Sequence, residues 1–417
     1  MRHITTDIAI IGAGVVGLAI AERLITEGRE VVLIDPHPPG ETVAETAASY
    51  GNAGTIADYA VLPVGTPDVL RNLPSLLFDR NSPLTIRRAA LPALLPWLAR
   101  FALQSLPRAA ERNARTIAAL LSTATTDWRD LGARIGGRDI LKNRGCLYVY
   151  ETSASFRAAE RDMAFRRSLG VTVDLIDPAT LRQMEPALPE VEGGAAFFPK
   201  AVFLDDPGRM IGLLAARVRA EAEIIATRAD RLTRHVSGVS IAGPGLHLHA
   251  RRAIIAAGAH SRSLAAQAGD RIPLDTERGY HVEWALAQPP VTRPTCPTTR
   301  GFYLCPMQGR LRVAGTVELG GLTAPASPHR IAKLVEGARE IFPDLPEPDR
   351  SWMGFRPSMP DSVPVIGPSR AGGEILHAYG HGHLGVSLAP VTARLIADLI
   401  AGRSPEMDLA PVLPSRF

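Results

Sequence analysis

The stretch from Asp7 to Asp35, DIAIIGAGVVGLAIAERLITEGREVVLID, most constrains what this chain can fold into. Ile8 to Ile11 is an apolar run of the kind expected of a strand buried on both faces. It leads directly into Gly12-Ala13-Gly14-Val15-Val16-Gly17, a G-x-G-x-x-G turn. Helix-forming residues continue from Val15 to Glu27, and Gly28 suits a left-handed cap. A second apolar run, Val31 to Ile34, ends on Asp35, and Pro36 opens a sharp loop. This order predicts a βαβ unit with the dinucleotide fingerprint in its required context. Gly12 permits the tight turn, Gly14 lets a pyrophosphate approach the backbone, and Gly17 lets helix pack on strand. The free N–H groups around Ala13, Val15 and Val16 and the positive end of the helix dipole favour phosphate. Asp35 is placed to accept hydrogen bonds from a ribose diol, and its charge disfavours a ribose phosphate. An adenine dinucleotide without that phosphate is expected. FAD and NAD satisfy this stretch equally.

Composition narrows the class. The chain has 417 residues, 46% of them hydrophobic, enough for two or three domain-sized units. Its formal net charge of +4 comes mostly from scattered arginines, with no block resembling a nucleic-acid footprint. Cys146, Cys296 and Cys305 lack paired metal-ligand spacing, so no metal is expected, and an odd, low count fits a reducing compartment. The apolar residues near the N-terminus belong to the βαβ unit, not to a signal peptide. No uncharged apolar stretch approaches the roughly 20 residues that span a bilayer. The expected location is cytoplasmic, with attachment to the inner face of a membrane left open.

Further along, Glu41 to Gly54 is rich in small residues, which fits either a close backbone approach to a cofactor or a plain loop. Arg87 to Leu106 and Pro107 to Leu131 read as helices. The apolar segment Ala89 to Ala99 fits either a core-facing or a membrane-surface helix. The core is favoured, because two prolines break any long amphipathic face. Short strands and helices alternate from Gly145 to Thr227, and Val236 to His249 reads as a hairpin. Arg252 to Ala257 then runs as a strand into Gly258. Strands of an antiparallel sheet follow over Pro273 to Trp284, Gly301 to Pro306 and Leu311 to Val317. A strand over Ile375 to Tyr379 enters GHGHLG, and a last helix covers Val386 to Ile400. This order predicts an α/β chain, α+β overall. A Rossmann-type nucleotide domain (1–60, 195–268 and 350–417) is interleaved with a substrate domain on a mostly antiparallel sheet (61–194 and 269–349).

Three segments, GAGVVGLAIA, WMGFRPSMPDSVPVIG and YGHGHLG, together with ETAASYGNAG, resemble the FAD-dependent D-amino-acid oxidoreductase superfamily. The likeness is nearest to its bacterial D-amino-acid dehydrogenase branch, including enzymes of D-proline type. It implies non-covalent FAD, since no cysteine stands near GFRPSMPD. Carried over by residue, Gly12, Ala13, Gly14, Val15, Val16, Gly17, Asp35 and Pro36 would hold the adenosine-pyrophosphate end. Ser49, Asn52, Ala53 and Gly54 would line the flavin, and Ala257 and Gly258 would touch the dinucleotide. Gly380, Gly382, His383, Leu384 and Gly385 would pass beside the ring, and Asp361 to Gly367 along the ribityl chain.

The resemblance also implies a reaction. The arginine of GFRP, here Arg356, would pair with a substrate carboxylate, for which a planar fork is suited. The alternative for Arg356 is a surface salt bridge. Tyr280 and Tyr303 would place hydroxyls near the carboxylate or amine, and each reads equally as a core aromatic. His381 and His383 would hydrogen-bond the flavin or shape its environment, and each reads equally as a satisfied loop histidine. The implied activity is oxidation of a D-amino acid, with D-proline or cis-4-hydroxy-D-proline preferred. A hydride passes from the α-carbon to flavin N5, and electrons go on to a quinone or an electron-transfer partner. Alternatives are a glycine- or sarcosine-type oxidase using oxygen, and a flavin-binding subunit of a larger complex.

Overall fold

The computed structural model describes residues 2–39, 46–71, 82 and 84–417, so the part of the small-residue segment at 41–45 lies outside the described residues. Strand β1 (Arg2–Ile11), helix α1 (Val15–Thr26) and strand β2 (Val31–Asp35) form the expected βαβ unit. The two strands run parallel, Ile8 opposite Val31 and Ile11 opposite Ile34. Their apolar runs are buried because helices and loops cover both faces of this sheet. The sheet continues through Glu223–Ala226 beyond β2 and through Leu246–Ile255 on the other side of β1.

Leu246–Ile255 was expected as part of a hairpin followed by a separate strand, and it is one continuous strand. Its first half pairs antiparallel with Gly238–Gly243, and its second half pairs parallel with Gly372–Tyr379. Alternating outward histidines give way to Ala253–Ile255, buried on both faces, so the neighbour changes where the burial pattern changes. A helical layer of α1, Pro207–Arg219 and Gly385–Ala401 packs on this sheet. Gly385–Ala401 is apolar nearly all round because it is buried on nearly every side.

Among the described residues the second sheet has nine strands and is mostly antiparallel. Its main path runs Arg350–Ser358, Asp275–Ala285, Arg310–Leu319, Phe302–Met307, Thr295–Pro297, Cys146–Tyr150, Gly194–Phe198 and Asp174–Ile176. Two boundaries drawn from sequence therefore move. Residues 195–198 and 350–358 hydrogen-bond into this sheet, not the nucleotide sheet. Conversely, Pro107–Leu121 and Ala124–Arg134 pack their apolar stripes against α1 and Gly385–Ala401, and Trp128 Nε1 donates to the Val386 carbonyl at 2.8 Å. Chain order does not reveal which stripe meets which, so these helices were assigned to the wrong unit.

Candidate active site

A cavity of about 1280 Å³ runs from the C-terminal ends of β1 and β2 to the inner face of the nine-stranded sheet. It exceeds the roughly 300–1,000 Å³ of a drug-sized ligand site, as an extended dinucleotide plus a substrate requires. At one end stand Gly12, Ala13, Gly14, Val15, Val16, Asp35 and Pro36. Asp35 is already in use by the fold. Its carboxylate accepts from the Ala13 N–H at 2.7 Å and the His37 N–H at 2.8 Å, bracing the glycine turn and its own loop. A Cβ on Gly14 would meet nothing within 4 Å, and no side chain caps α1. An open approach to uncapped helix N–H groups is what a pyrophosphate needs. Gly12 (φ +112°) is pressed on the next strand, since a Cβ there would lie 2.4 Å from the Ala256 carbonyl oxygen. Ala257 and Gly258, just beyond, line the cavity.

In the middle of the cavity, Ser49, Asn52 and Ala53 form one wall and Gly382, His383, Leu384 and Gly385 another. The first wall is pinned from behind. Buried Arg312 donates to the carbonyls of Tyr50 (2.9 Å) and Asn52 (2.6 Å) and to Glu283 (2.8 Å). The second wall leads into the uncapped N-terminus of Gly385–Ala401. Ser387 fastens that helix by accepting from the Ala57 N–H at 2.9 Å.

The far end is built on strand alternation. Gly279 faces the cavity, and its missing side chain leaves room for a guanidinium: a Cβ there would fall 2.4 Å from Arg356 Nη2. Arg356 Nη1 donates to the Thr316 carbonyl at 3.1 Å. No carboxylate lies within ion-pair distance of Arg356 among the described residues. Burial pulls its guanidinium below the usual range, and Glu277, its register partner on the neighbouring strand, opposes that pull. Burial in turn pushes the Glu277 carboxyl up. Thr316 has φ +56°, rare for a β-branched residue. It sits in a bulge, where Thr316 and Val317 together oppose Gly279. Tyr303 also faces the cavity, its hydroxyl 2.9 Å from that of Tyr148. Burial raises both phenols, so both stay protonated donors.

Several expected site residues lie elsewhere. Tyr280 points to the opposite face of the sheet, as alternation next to Gly279 requires. Its hydroxyl donates to Glu318 at 2.6 Å, and it belongs to an apolar core, not to the cavity. His381 reaches the cavity wall, but its Nε2 is 2.9 Å from Thr392 Oγ1, and burial brings its pKa down to about 3. It is a neutral loop anchor. Gly17, Gly54 and Gly380 stand behind the wall, where a Cβ would strike the Gly12 carbonyl oxygen, the Leu204 carbonyl oxygen and Met359 Cγ. Asp361 to Gly367 does not line the cavity, and Asp361 is paired with Arg416 at 2.9 Å. Sequence reasoning missed Tyr148, Gly279, Thr316 and Trp352. Tyr148, Gly279 and Thr316 lie in predicted strands and Trp352 opens the WMGFRPS motif, but the face that each presents is set by strand register, which the sequence does not display.

Comparison with known proteins agrees with this geometry. A family model described as DAO, FAD dependent oxidoreductase, matches residues 7–399. The chain is 35% identical to a D-amino-acid oxidase of Bradyrhizobium diazoefficiens, covering 100% of this chain and 99% of that one. It is 31% identical to D-amino acid dehydrogenase 2 of Ralstonia nicotianae, over 98% and 100%. Among solved structures, glycine oxidase from Geobacillus kaustophilus shares the fold with a TM-score of 0.75 at 24% identity, over 99% of each chain. The chain belongs to the DAO family of FAD-dependent oxidoreductases.

Proposed function

We propose that this FAD-dependent oxidoreductase oxidises a D-amino acid to the imino acid and passes the electrons to an acceptor other than oxygen. The observation that carries this reading is Arg356, a guanidinium on the cavity wall whose only bond among the described residues is to the Thr316 carbonyl. A half-buried fork with no counter-ion in contact among the described residues is complementary to a carboxylate. The names of the relatives at 27–35% identity supply the amino-acid class and its D configuration.

FAD supplies the two-electron acceptor, held by the glycine turn and the walls at 49–53 and 382–385. Arg356 fixes the substrate carboxylate and thereby the face of the α-carbon that is presented. The Tyr303 hydroxyl donates to that of Tyr148, which leaves the Tyr148 proton to be donated at the same end. Among the described residues, the only acids lining the cavity are Asp35 and Asp230, at or near the β2 end. No carboxylate is therefore at hand as a base for the amine, and the positive field of Arg356 favours binding the amine in its neutral form. Orientation and the helix N-terminus carry the rate. D-Proline and cis-4-hydroxy-D-proline stand first within the class on the motif resemblance.

Anaerobic addition of a D-amino-acid panel to the purified protein should bleach the flavin absorbance, and the L-enantiomers should leave it unchanged. A panel without bleaching removes the substrate class. The relative named an oxidase favours oxygen as a second reading. Stoichiometric peroxide would establish that acceptor, whereas slow oxygen turnover beside fast dye reduction would establish a dehydrogenase.

A further inference from the structure

We infer that the solvent face of the helix Leu91–Gln104 docks on an anionic lipid bilayer. The helix is apolar on both sides. Leu94, Trp97 and Phe101 are buried against Ile86 and Leu319. On the other side Leu95 and Leu103 are 60% and 62% exposed, and Leu106, just beyond the helix, is 45% exposed. Their spacing, with exposed Ala99 between them, keeps these residues on one face. Three of the five exposed large hydrophobics among the described residues are therefore gathered on one short segment. Such clustering marks an interaction surface.

Charge selects the occupant. From Arg80 to Ala110 the sequence holds five arginines and no aspartate or glutamate. Arg87 is committed to Glu318. Arg88, Arg100 and Arg108 are exposed and have no acidic partner among the described residues. Directional groups are scarce. Between Leu91 and Pro107 the polar side chains are Arg100, Gln104 and Ser105, and the last two are engaged by Asn113 and by the Phe101 carbonyl. Leucines flanked by unpaired arginines suit a surface that is apolar within and anionic at its rim, and lack the directional groups a specific protein partner requires.

The buried side of the helix places this surface next to the substrate end of the cavity. Trp97 Nε1 donates to the Ser358 carbonyl at 3.4 Å, and Arg87 packs on Gly320. The loop that follows carries Leu322, which lines the cavity and is itself partly exposed. Docking does not depend on the reaction. Delivery of electrons to a lipid-soluble acceptor on that side rests on the dehydrogenase reading.

The test uses FAD-loaded full-length protein sedimented with vesicles of phosphatidylcholine alone or mixed with phosphatidylglycerol. Binding to the mixed vesicles is expected, weakening with salt. Leu95→Asp/Leu103→Asp should lower partitioning on the order of tenfold or more, and Arg100→Glu/Arg108→Glu several-fold. Both should keep full flavin content and dye-linked turnover in solution. Wild-type protein that stays in the supernatant with the mixed vesicles overturns the inference, without recourse to any variant. So does a leucine variant that sediments like wild type. A wild-type dimer that the leucine variant dissolves, with no vesicle binding, would assign the face to a second copy and overturn it equally. Vesicle binding without reduction of a quinone dissolved in the vesicles would leave docking standing and remove only the acceptor reading.

Discussion

At the scale of single residues, Arg356 joins motif to geometry. Its one bond among the described residues, to the Thr316 carbonyl, fixes Nη1 and leaves the rest of the fork without a partner among them. Lysine keeps a charge but cannot span both carboxylate oxygens from one plane. Arg356→Lys should therefore raise KM for a D-amino acid roughly tenfold or more while flavin content stays normal. Steady-state kinetics beside the protein-to-flavin absorbance ratio checks both halves, and an unchanged KM removes Arg356 from the carboxylate site. Arg356 was legible in the sequence because Phe355-Arg356-Pro357 is a local motif, and the same holds for Gly12, Gly14 and Asp35. Tyr280 and Tyr303 looked equivalent, each an aromatic in a predicted strand. They separate only when the face of each strand is known, and register with neighbouring strands decides that. Gly279 stayed hidden for the same reason. Its role is to be absent where the Arg356 side chain lies, which is a fact about a different strand.

At the scale of elements, the bulge in Arg310–Leu319 supports the site. An extra residue opposite Gly279 turns the Thr316 carbonyl toward Arg356, at the cost of a left-handed β-branched residue whose buried Oγ1 has no partner. Thr316→Gly should remove that strain and stabilise the protein by roughly 0.5–1 kcal/mol, after allowing for the greater entropy of glycine in the unfolded chain. It should also loosen the carbonyl and raise KM several-fold. A thermal midpoint and a KM that both stay at wild-type values would show that the bulge stores nothing for function. Elements built from contiguous sequence, such as β1–α1–β2, were readable because their hydrogen bonds and apolar periods close locally. Leu246–Ile255 was misread because one strand serves two different neighbours. The core-facing reading of Ala89 to Ala99 holds for Leu94 and Trp97, although its ground, that two prolines break any long amphipathic face, does not. Proline in fact removes one backbone bond there, and the Leu94–Trp97–Phe101 face holds the helix together.

At the scale of the whole molecule, the two sheets meet around histidines held neutral. His281, from the nine-stranded sheet, stacks on Trp352 and reaches the Gly51 carbonyl at 3.2 Å. His381, from the nucleotide side, is bound to Thr392. Burial brings each from 6.5 down to about 3, with Arg312 adding to the effect on His281. Burial and the charge of Arg356 likewise bring His383, which lines the cavity, down to about 4. Between pH 6.5 and about 4 the unfolded chain takes up protons on these histidines that the native state refuses. Stability is therefore fully present above pH 6.5 and falls with pH through this window. Asp58 works the other way: burial pushes it up to about 6, so the native state holds a proton there that the unfolded chain gives up. The balance of these four groups is about two protons, or roughly 2.7 kcal/mol lost per pH unit, an upper figure because His383 is exposed and screened by solvent. His381→Asn can still hydrogen-bond Thr392 and cannot titrate. From pH 6.5 to pH 5 the wild-type protein should lose about 2 kcal/mol more stability than this variant. It should also release flavin at a higher pH, because His281 and His381 stand beside the walls that hold the flavin. Unfolding midpoints and free-flavin fluorescence across that range measure the difference. Parallel curves for the two proteins would mean that His381 titrates as it would in water and that the junction between the sheets is not closed around it.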